Sequence, residues 1–164
     1  MLRIALSEVR SGAVETAGEI APDDAILAIP GVRLLEPLTV TGRFSSAGGE
    51  KYYWKAALST VLRIECRRCL EPVDVPLRQS LGLVFSAGDD APEGDGVYVI
   101  PTRTQLLDLT EAIREEFHLA VPRFVECRPD CRGLCSRCGA NLNNGPCGCE
   151  PSTDPRWDAL RAHR

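Results

Sequence analysis

Eight cysteines stand at positions 66, 69, 127, 131, 135, 138, 147 and 149, six of them within the 23 residues from Cys127 to Cys149. Thiolates are soft ligands, and zinc takes four of them at the corners of a tetrahedron. Two cysteines separated by two residues reach one ion through a sharp backbone turn. Two such pairs occur, Cys66-Arg-Arg-Cys69 and Cys135-Ser-Arg-Cys138, the second followed by Gly139, which takes positive φ without cost. Around them lie Cys127 with Cys131 and Cys147 with Cys149. The compact, local spacing favours a partition with Cys135, Cys138, Cys147 and Cys149 on one ion and Cys66, Cys69, Cys127 and Cys131 on a second. The second site would clip the tail to a turn about sixty residues upstream. In the alternative, Cys127 and Cys131 join Cys135 and Cys138, leaving the other pairs together. Either way the expectation is two structural Zn2+ sites.

Other uses of the thiols fit less well. Buried cysteines acting as small hydrophobes explain one or two, not eight in this spacing. A redox dithiol sits at a helix start after a strand, a context that SRCGANLNNG lacks. The ferredoxin run ending in proline is missing, which argues against an iron–sulfur cluster. All-thiolate sets leave no open coordination position for zinc-water chemistry. His118, on an expected helix, and His163, near the end of the sequence, read as surface residues. No nucleophile elbow, phosphate-cradling glycine loop or paired carboxylates stand out, so the chain reads as non-enzymatic with no small-molecule substrate.

Arginines crowd the same segments: Arg67 and Arg68 inside the first pair, then Arg123, Arg128, Arg132 and Arg137. Some would simply offset the thiolates, since zinc with four thiolates carries a formal charge of about −2 and two such sites would move the chain from −4 to about −8. The rest could contact phosphate, with Arg67, Arg68, Arg128, Arg132 and Arg137 as candidates for RNA or partner contact. The net charge of −4 and pI near 5.3 exclude a broad cationic field, so any such contact is local.

Something must position these turns. At 164 residues with 44% hydrophobic composition, the chain can build one ordinary core with a small appended module. No apolar run suits a membrane helix and MLRIALSEVR lacks a signal peptide's continuous apolar stretch, so a cytoplasmic location is expected. Met1 to Leu6 alternates like a short strand, and residues 11–31 suggest one short helix or loop. Leu38, Val40, Gly42 and Phe44 share a parity, as do Leu58, Thr60, Leu62 and Ile64, and then Val73, Val75, Leu77, Leu81, Leu83 and Phe85. With a break over 45–51, these predict a three-stranded antiparallel meander. Pro76 has no N–H to give a ladder, so its strand runs along an edge or bulges there. Residues 86–96 read as an acidic loop and 97–100 as a returning strand. A helix is expected over 108–120, with Asp108 and Glu111 capping it and Leu109, Ala112, Ile113, Phe117, Ala120 and Val121 as its core stripe.

From residue 126 to 156 almost nothing apolar remains apart from Leu134 and Leu142, so burial alone cannot order the tail. A short last helix from Asp154 would place Trp157 and Leu160 together. The expectation is an α+β fold: an antiparallel, partly closed β-sheet with one packed helix over 1–122, and a cysteine-rich zinc-binding tail over 123–164.

The segments ECRRCLEPVDVP (65–76), DLTEAIREEFHLAVP (108–122), CRPDCRGLCSRCGANLNNGPCGC (127–149) and DPRWDAL (154–160) together resemble, in order, the YceD-like family of large ribosomal RNA subunit accumulation proteins. The resemblance implies a bacterial or organellar factor needed for normal levels of large-subunit ribosomal RNA. It also implies a partner in that RNA or in an assembling ribosomal protein. The rival reading is a zinc-ribbon protein-interaction adaptor with no ribosomal role.

Overall fold

The computed structural model describes residues 2–88, 96–149 and Arg156. Its elements are β1 (Arg3–Ala5), α1 (Leu6–Ser11), β2 (Val14–Ile20), β3 (Val32–Leu34), β4 (Leu38–Gly48), β5 (Lys51–Glu65), β6 (Pro72–Ala87), β7 (Val97–Ile100), β8 (Leu106–Asp108) and α2 (Thr110–Ala120). Sheet dominates, so the balance of helix and strand lies further toward β than an even α+β division implies.

The centre is the long hairpin of β5 and β6, paired antiparallel without interruption from Lys51 opposite Ser86 to Glu65 opposite Pro72. The expected parities hold along it. Leu58, Leu62, Leu77, Leu81, Leu83 and Phe85 are buried, and Tyr52, Trp54 and Ala56 extend the inward face of β5 back to its start. The expected break over 45–51 therefore shrinks to a tight turn at Gly49 and Glu50, because Tyr52 and Trp54 have apolar bodies worth burying in a strand. β3 and β4 share one edge of β5, β3 beside Leu62–Ile64 and β4 beside Lys51–Ser59. Phe44 on β4 stacks on Tyr52 and meets Phe85 at a tilt of 55°, and Phe85 stacks on Tyr98 of β7, with ring centroids 5.1–5.8 Å apart.

Pro76 lies where an edge was expected. β7 pairs with β6 only over Val84–Ala87, so the stretch around Pro76 has β5 as its one partner among the described residues. The carbonyl of Val61, opposite Pro76, accepts from Leu35 N–H on the far side (2.8 Å). Val61 thus turns its polar groups away from β6, and the missing N–H of Pro76 would have faced the open edge.

Several expectations need correction. The sheet is mixed and open rather than antiparallel and partly closed: its order is β2-β4-β5-β6-β7, the β6–β7 pair is parallel, and its end strands β2 and β7 do not meet. β1 and β8 form a separate two-stranded ribbon. The first strand stops at Ala5, since Leu6 and Val9 turn inward on α1. Residues 11–31 hold strand β2 and a 3-10 turn at Ala25–Leu27 instead of a helix or plain loop. Helix α2 starts at Thr110, not at 108. Asp108 accepts from Thr110 N–H at 2.9 Å, but Glu111 pairs with Arg114 (3.0 Å) rather than reaching back to close a capping box. The core stripe stands, with Leu109, Ala112, Ile113, Phe117 and Val121 buried and Ala120 half-buried. The helix expected from Asp154, with Trp157 and Leu160, and most of the acidic loop lie outside the described residues.

Candidate metal centres

The turn between β5 and β6 carries Cys66 and Cys69. Leu70 N–H donates back to the Cys66 carbonyl (2.9 Å), and Cys66 N–H donates to the Glu71 carbonyl (2.8 Å). This knuckle turns both sulfurs to one side. The chain leaving α2 comes alongside, where Arg67 N–H donates to the Val125 carbonyl (2.9 Å) and Leu134 N–H to the Arg68 carbonyl (3.0 Å). Gly133 makes that approach possible. Its φ is +73°, and a Cβ there would stand 3.0 Å from the Arg68 carbonyl oxygen.

These contacts bring Cys127 and Cys131 onto the first knuckle. The sulfurs of Cys66, Cys69, Cys127 and Cys131 all lie within 4.8 Å of one another, and so do those of Cys135, Cys138, Cys147 and Cys149. Of the two ways of dividing the thiols, the structure brings together the local set and the sheet-to-tail set. In the first cluster Cys66 and Cys131 sulfurs are 3.9 Å apart and those of Cys69 and Cys127 3.6 Å. Both separations are far beyond a disulfide bond of about 2.0 Å. They match the edge of about 3.8 Å that a tetrahedron with metal–sulfur bonds of about 2.3 Å requires. Both clusters could hold a metal ion.

The second knuckle repeats the first. Gly139 N–H donates to the Cys135 carbonyl (2.9 Å) as Leu70 does to Cys66, and Gly139 has φ +72° where Leu70 has +62°. Leu134 and Asn141 bridge antiparallel across it, and Cys135 N–H donates to the Ala140 carbonyl (2.8 Å).

Each cluster divides its thiols by proton affinity. Burial opposes ionisation of Cys66, yet the N–H groups of Arg68, Cys127 and Cys69 aimed at its sulfur outweigh it and bring the thiol down to about 6. Cys131 is lowered too, first by the Asn143 amide, whereas burial pushes Cys127 up to about 12. In the second cluster the N–H groups of Cys138 and Arg137 bring Cys135 to about 6. Cys149, hydrogen-bonded to Cys138, rises to about 12. Backbone donors thus favour negative charge in each cluster, and crowding keeps some thiols protonated until a cation takes the protons' place.

The arginines divide by what holds them. Arg67 donates to Glu126 (2.8 Å) and lies over the ring of Phe124 at 5.6 Å. Arg128 pairs with Asp130 and donates to Asn143 Oδ1 (2.9 Å). Arg68, Arg123, Arg132 and Arg137 are exposed, and none has an ion pair among the described residues. His118 is half-buried rather than on the surface, its Nε2 3.2 Å from the Ile26 carbonyl, and His163 lies outside the described residues. Asn141 and Asn143 are not residues that cysteine spacing singles out. Their only sign is a polar Asn-Leu-Asn inside an already polar loop, yet both contact the first cluster's surroundings.

Residues 54–162 match the family described as large ribosomal RNA subunit accumulation protein YceD. The chain belongs to the YceD family. A protein of Mycobacterium tuberculosis, named only as uncharacterized, is 38% identical over 58% of this chain and 47% of its own length. Two YceD relatives, each named large ribosomal RNA subunit accumulation protein YCED homolog 1, chloroplastic, come from Zea mays and Arabidopsis thaliana. The maize protein is 30% identical over 56% of this chain and 42% of its own length, the Arabidopsis protein 28% over 55% and 37%. The chain therefore spans less than half the length of these relatives. No solved structure matches it. Among the described residues no helix is long and apolar enough to cross a membrane. The YceD match begins at Trp54 and takes in both knuckles.

Proposed function

We propose that this YceD protein is a non-catalytic ribosome-biogenesis factor whose two zinc-filled knuckles present arginines to large-subunit ribosomal RNA. The observation that carries the reading is the division of the arginines. Those at Arg68, Arg132 and Arg137 extend from the two knuckles with no carboxylate to hold them among the described residues, while Arg67 and Arg128 are engaged within the protein. Guanidiniums left open a few residues from thiolate clusters are matched to phosphate by charge and by their planar donors. Zinc rather than a catalytic metal suits four thiols per cluster, which fill a tetrahedron and leave no place for a reacting water.

Binding of large-subunit ribosomal RNA fragments to the full chain, followed against salt, tests it. Replacing Arg68, Arg132 and Arg137 with Gln is expected to weaken binding and to flatten the dependence of log K on log salt by about one for each phosphate no longer held. Cells carrying that variant are expected to hold less large-subunit RNA relative to small-subunit RNA. RNA binding that is absent, or unmoved by the triple substitution, overturns the reading. The adaptor alternative draws on exposed Leu70 and Phe124 beside the first knuckle. It would be favoured if Leu70→Ser with Phe124→Ser lowered large-subunit RNA levels while the arginine variant did not.

A further inference from the structure

Asn143 belongs by backbone to the second cluster and by side chain to the first. It sits in the loop between Cys138 and Cys147, which that cluster closes. Yet its Nδ2 donates to the Cys131 sulfur at 3.4 Å, and its Oδ1 accepts from Arg132 N–H (2.8 Å) and from Arg128 (2.9 Å). Asn141 fixes it in place, its Oδ1 accepting from both Asn143 N–H (3.0 Å) and Asn143 Nδ2 (2.8 Å). Asn141 in turn donates to Glu71 on the far side of the first knuckle (3.2 Å). Leu142 N–H donates to the Gly133 carbonyl (2.9 Å), which holds the loop against the chain between the clusters.

A hydrogen bond to a coordinating thiolate spreads its charge and orients it, and removing such a bond typically costs 10–100-fold in metal affinity. The donor here is presented by a loop with no buried residue of its own, so its order depends on what closes it. We propose that Asn143 is a positioning residue for the first cluster, and that through its bond to Cys131 metal in the Cys135 cluster tightens metal binding in the Cys66 cluster. The proposal rests on the metal reading above. By linkage the coupling is reciprocal: metal in the first cluster, holding Cys131 where the amide can reach it, favours closure of the second.

Cobalt(II) titration of the full chain under reducing conditions, against a competing chelator, tests this, because sulfur-to-cobalt charge-transfer bands report each thiolate's surroundings. The intact chain is expected to take two equivalents, both sites filling together. Asn143→Asp keeps the oxygen that Arg128 and Arg132 donate to but loses the N–H donor. It is expected still to take two equivalents, to fill them in separate steps, to weaken the first site about 10–100-fold, and to shift its charge-transfer band with the far-ultraviolet circular dichroism unchanged. Cys147→Ser with Cys149→Ser is expected to take one equivalent, at least tenfold more weakly than the same site in the intact chain. Adding Asn143→Asp to that background should change little more, as expected for two changes acting through one bond. First-site affinity unmoved by either variant, or effects that add in full, overturns the coupling while two bound equivalents leave the metal reading standing. An intact chain that binds no cobalt or zinc overturns both.

Discussion

The two knuckles have the same turn and opposite surroundings. In the first, Cys66, Cys69 and Cys131 are buried, Val73 and Leu134 pack against them, and the turn itself closes the longest hairpin of the sheet. In the second, none of the four thiols is buried, and the backbone bonds from Cys135 to Ala140, from Gly139 to Cys135 and from Leu142 to Gly133 all stay close to the loop. One cluster is thus a junction that a folded sheet holds half-assembled, and the other is a loop with no buried thiol, tied to the first through the side chains of Asn141 and Asn143. The same spacing of cysteines serves two different ends, set by whether strands stand on either side of it.

The largest effect expected from this difference comes from removing one thiol from each knuckle. Structural zinc contributes on the order of 10 kcal/mol of apparent folding free energy, and in the first cluster such an ion would join sheet to tail. Cys69→Ser is therefore expected to lower global stability by at least about 3 kcal/mol, by losing metal and leaving a hydroxyl in a buried thiol's place. Cys138→Ser should lower the stability of the sheet by only about 1–2 kcal/mol, the share that a roughly tenfold weaker first site implies, and speed hydrogen exchange mainly in the tail, around residues 135–149. Denaturant melts read by Trp54, which is fully buried, separate the two. Equal losses would mean that both clusters are coupled to the sheet and that the contrast between them is false.

How much of this contrast the sequence discloses depends on the kind of signal each part carries. The parity of β5 and β6, the stripe of α2 and the grouping of the cysteines are all legible, because apolar period and ligand spacing are local properties of the chain. Strand β2 is not. Its one buried residue is Thr16, whose hydroxyl accepts from Trp54 Nε1 at 3.0 Å, so no apolar alternation marks it. The parallel pairing of β7 with β6 is equally hidden, since four consecutive apolar residues, Val97 to Ile100, do not say which direction they run. Asn143 escapes for a third reason: its partners lie up to 15 residues back along the chain and on the other cluster, so spacing within the loop says nothing of them.

An intermediate effect comes from exchanging the residues that follow the two second cysteines. Both positions require positive φ, which costs a non-glycine side chain roughly 1 kcal/mol, and only the second knuckle has glycine there. Leu70→Gly is expected to stabilise the apo first knuckle by up to about 1 kcal/mol, partly offset by the greater freedom glycine has when unfolded. Gly139→Leu should cost the second knuckle about 1–2 kcal/mol, read as weaker metal binding at that site rather than as a lower sheet melting point. Because Leu70 is 55% exposed, its loss removes little packing. A Leu70→Gly chain that is as stable as before yet supports less large-subunit RNA would show that the leucine is kept for contact with a partner.

The smallest expected effect is the pH response of a carboxylate beside the first knuckle. Arg63 and Asp74 face each other across β5 and β6 near that turn, joined by two hydrogen bonds of 2.6 and 2.8 Å. The hydrogen bond from Arg63 holds the Asp74 carboxyl below its ordinary value of 3.8. A carboxylate whose folded value is depressed adds stability that is fully present above the unfolded value and is lost as pH falls through the folded one. The pair stands in solvent, with side chains 45% and 50% exposed, so the gain is slight and is screened by salt. Between about pH 5 and 3 the intact chain is expected to lose hydrogen-exchange protection at the knuckle end of the hairpin faster than Asp74→Asn, which has no charge there to lose. The difference should shrink in high salt. If the two chains lose protection in parallel, cross-strand charge adds nothing to the sheet's hold on the first knuckle, and that hold rests on burial and backbone hydrogen bonds alone.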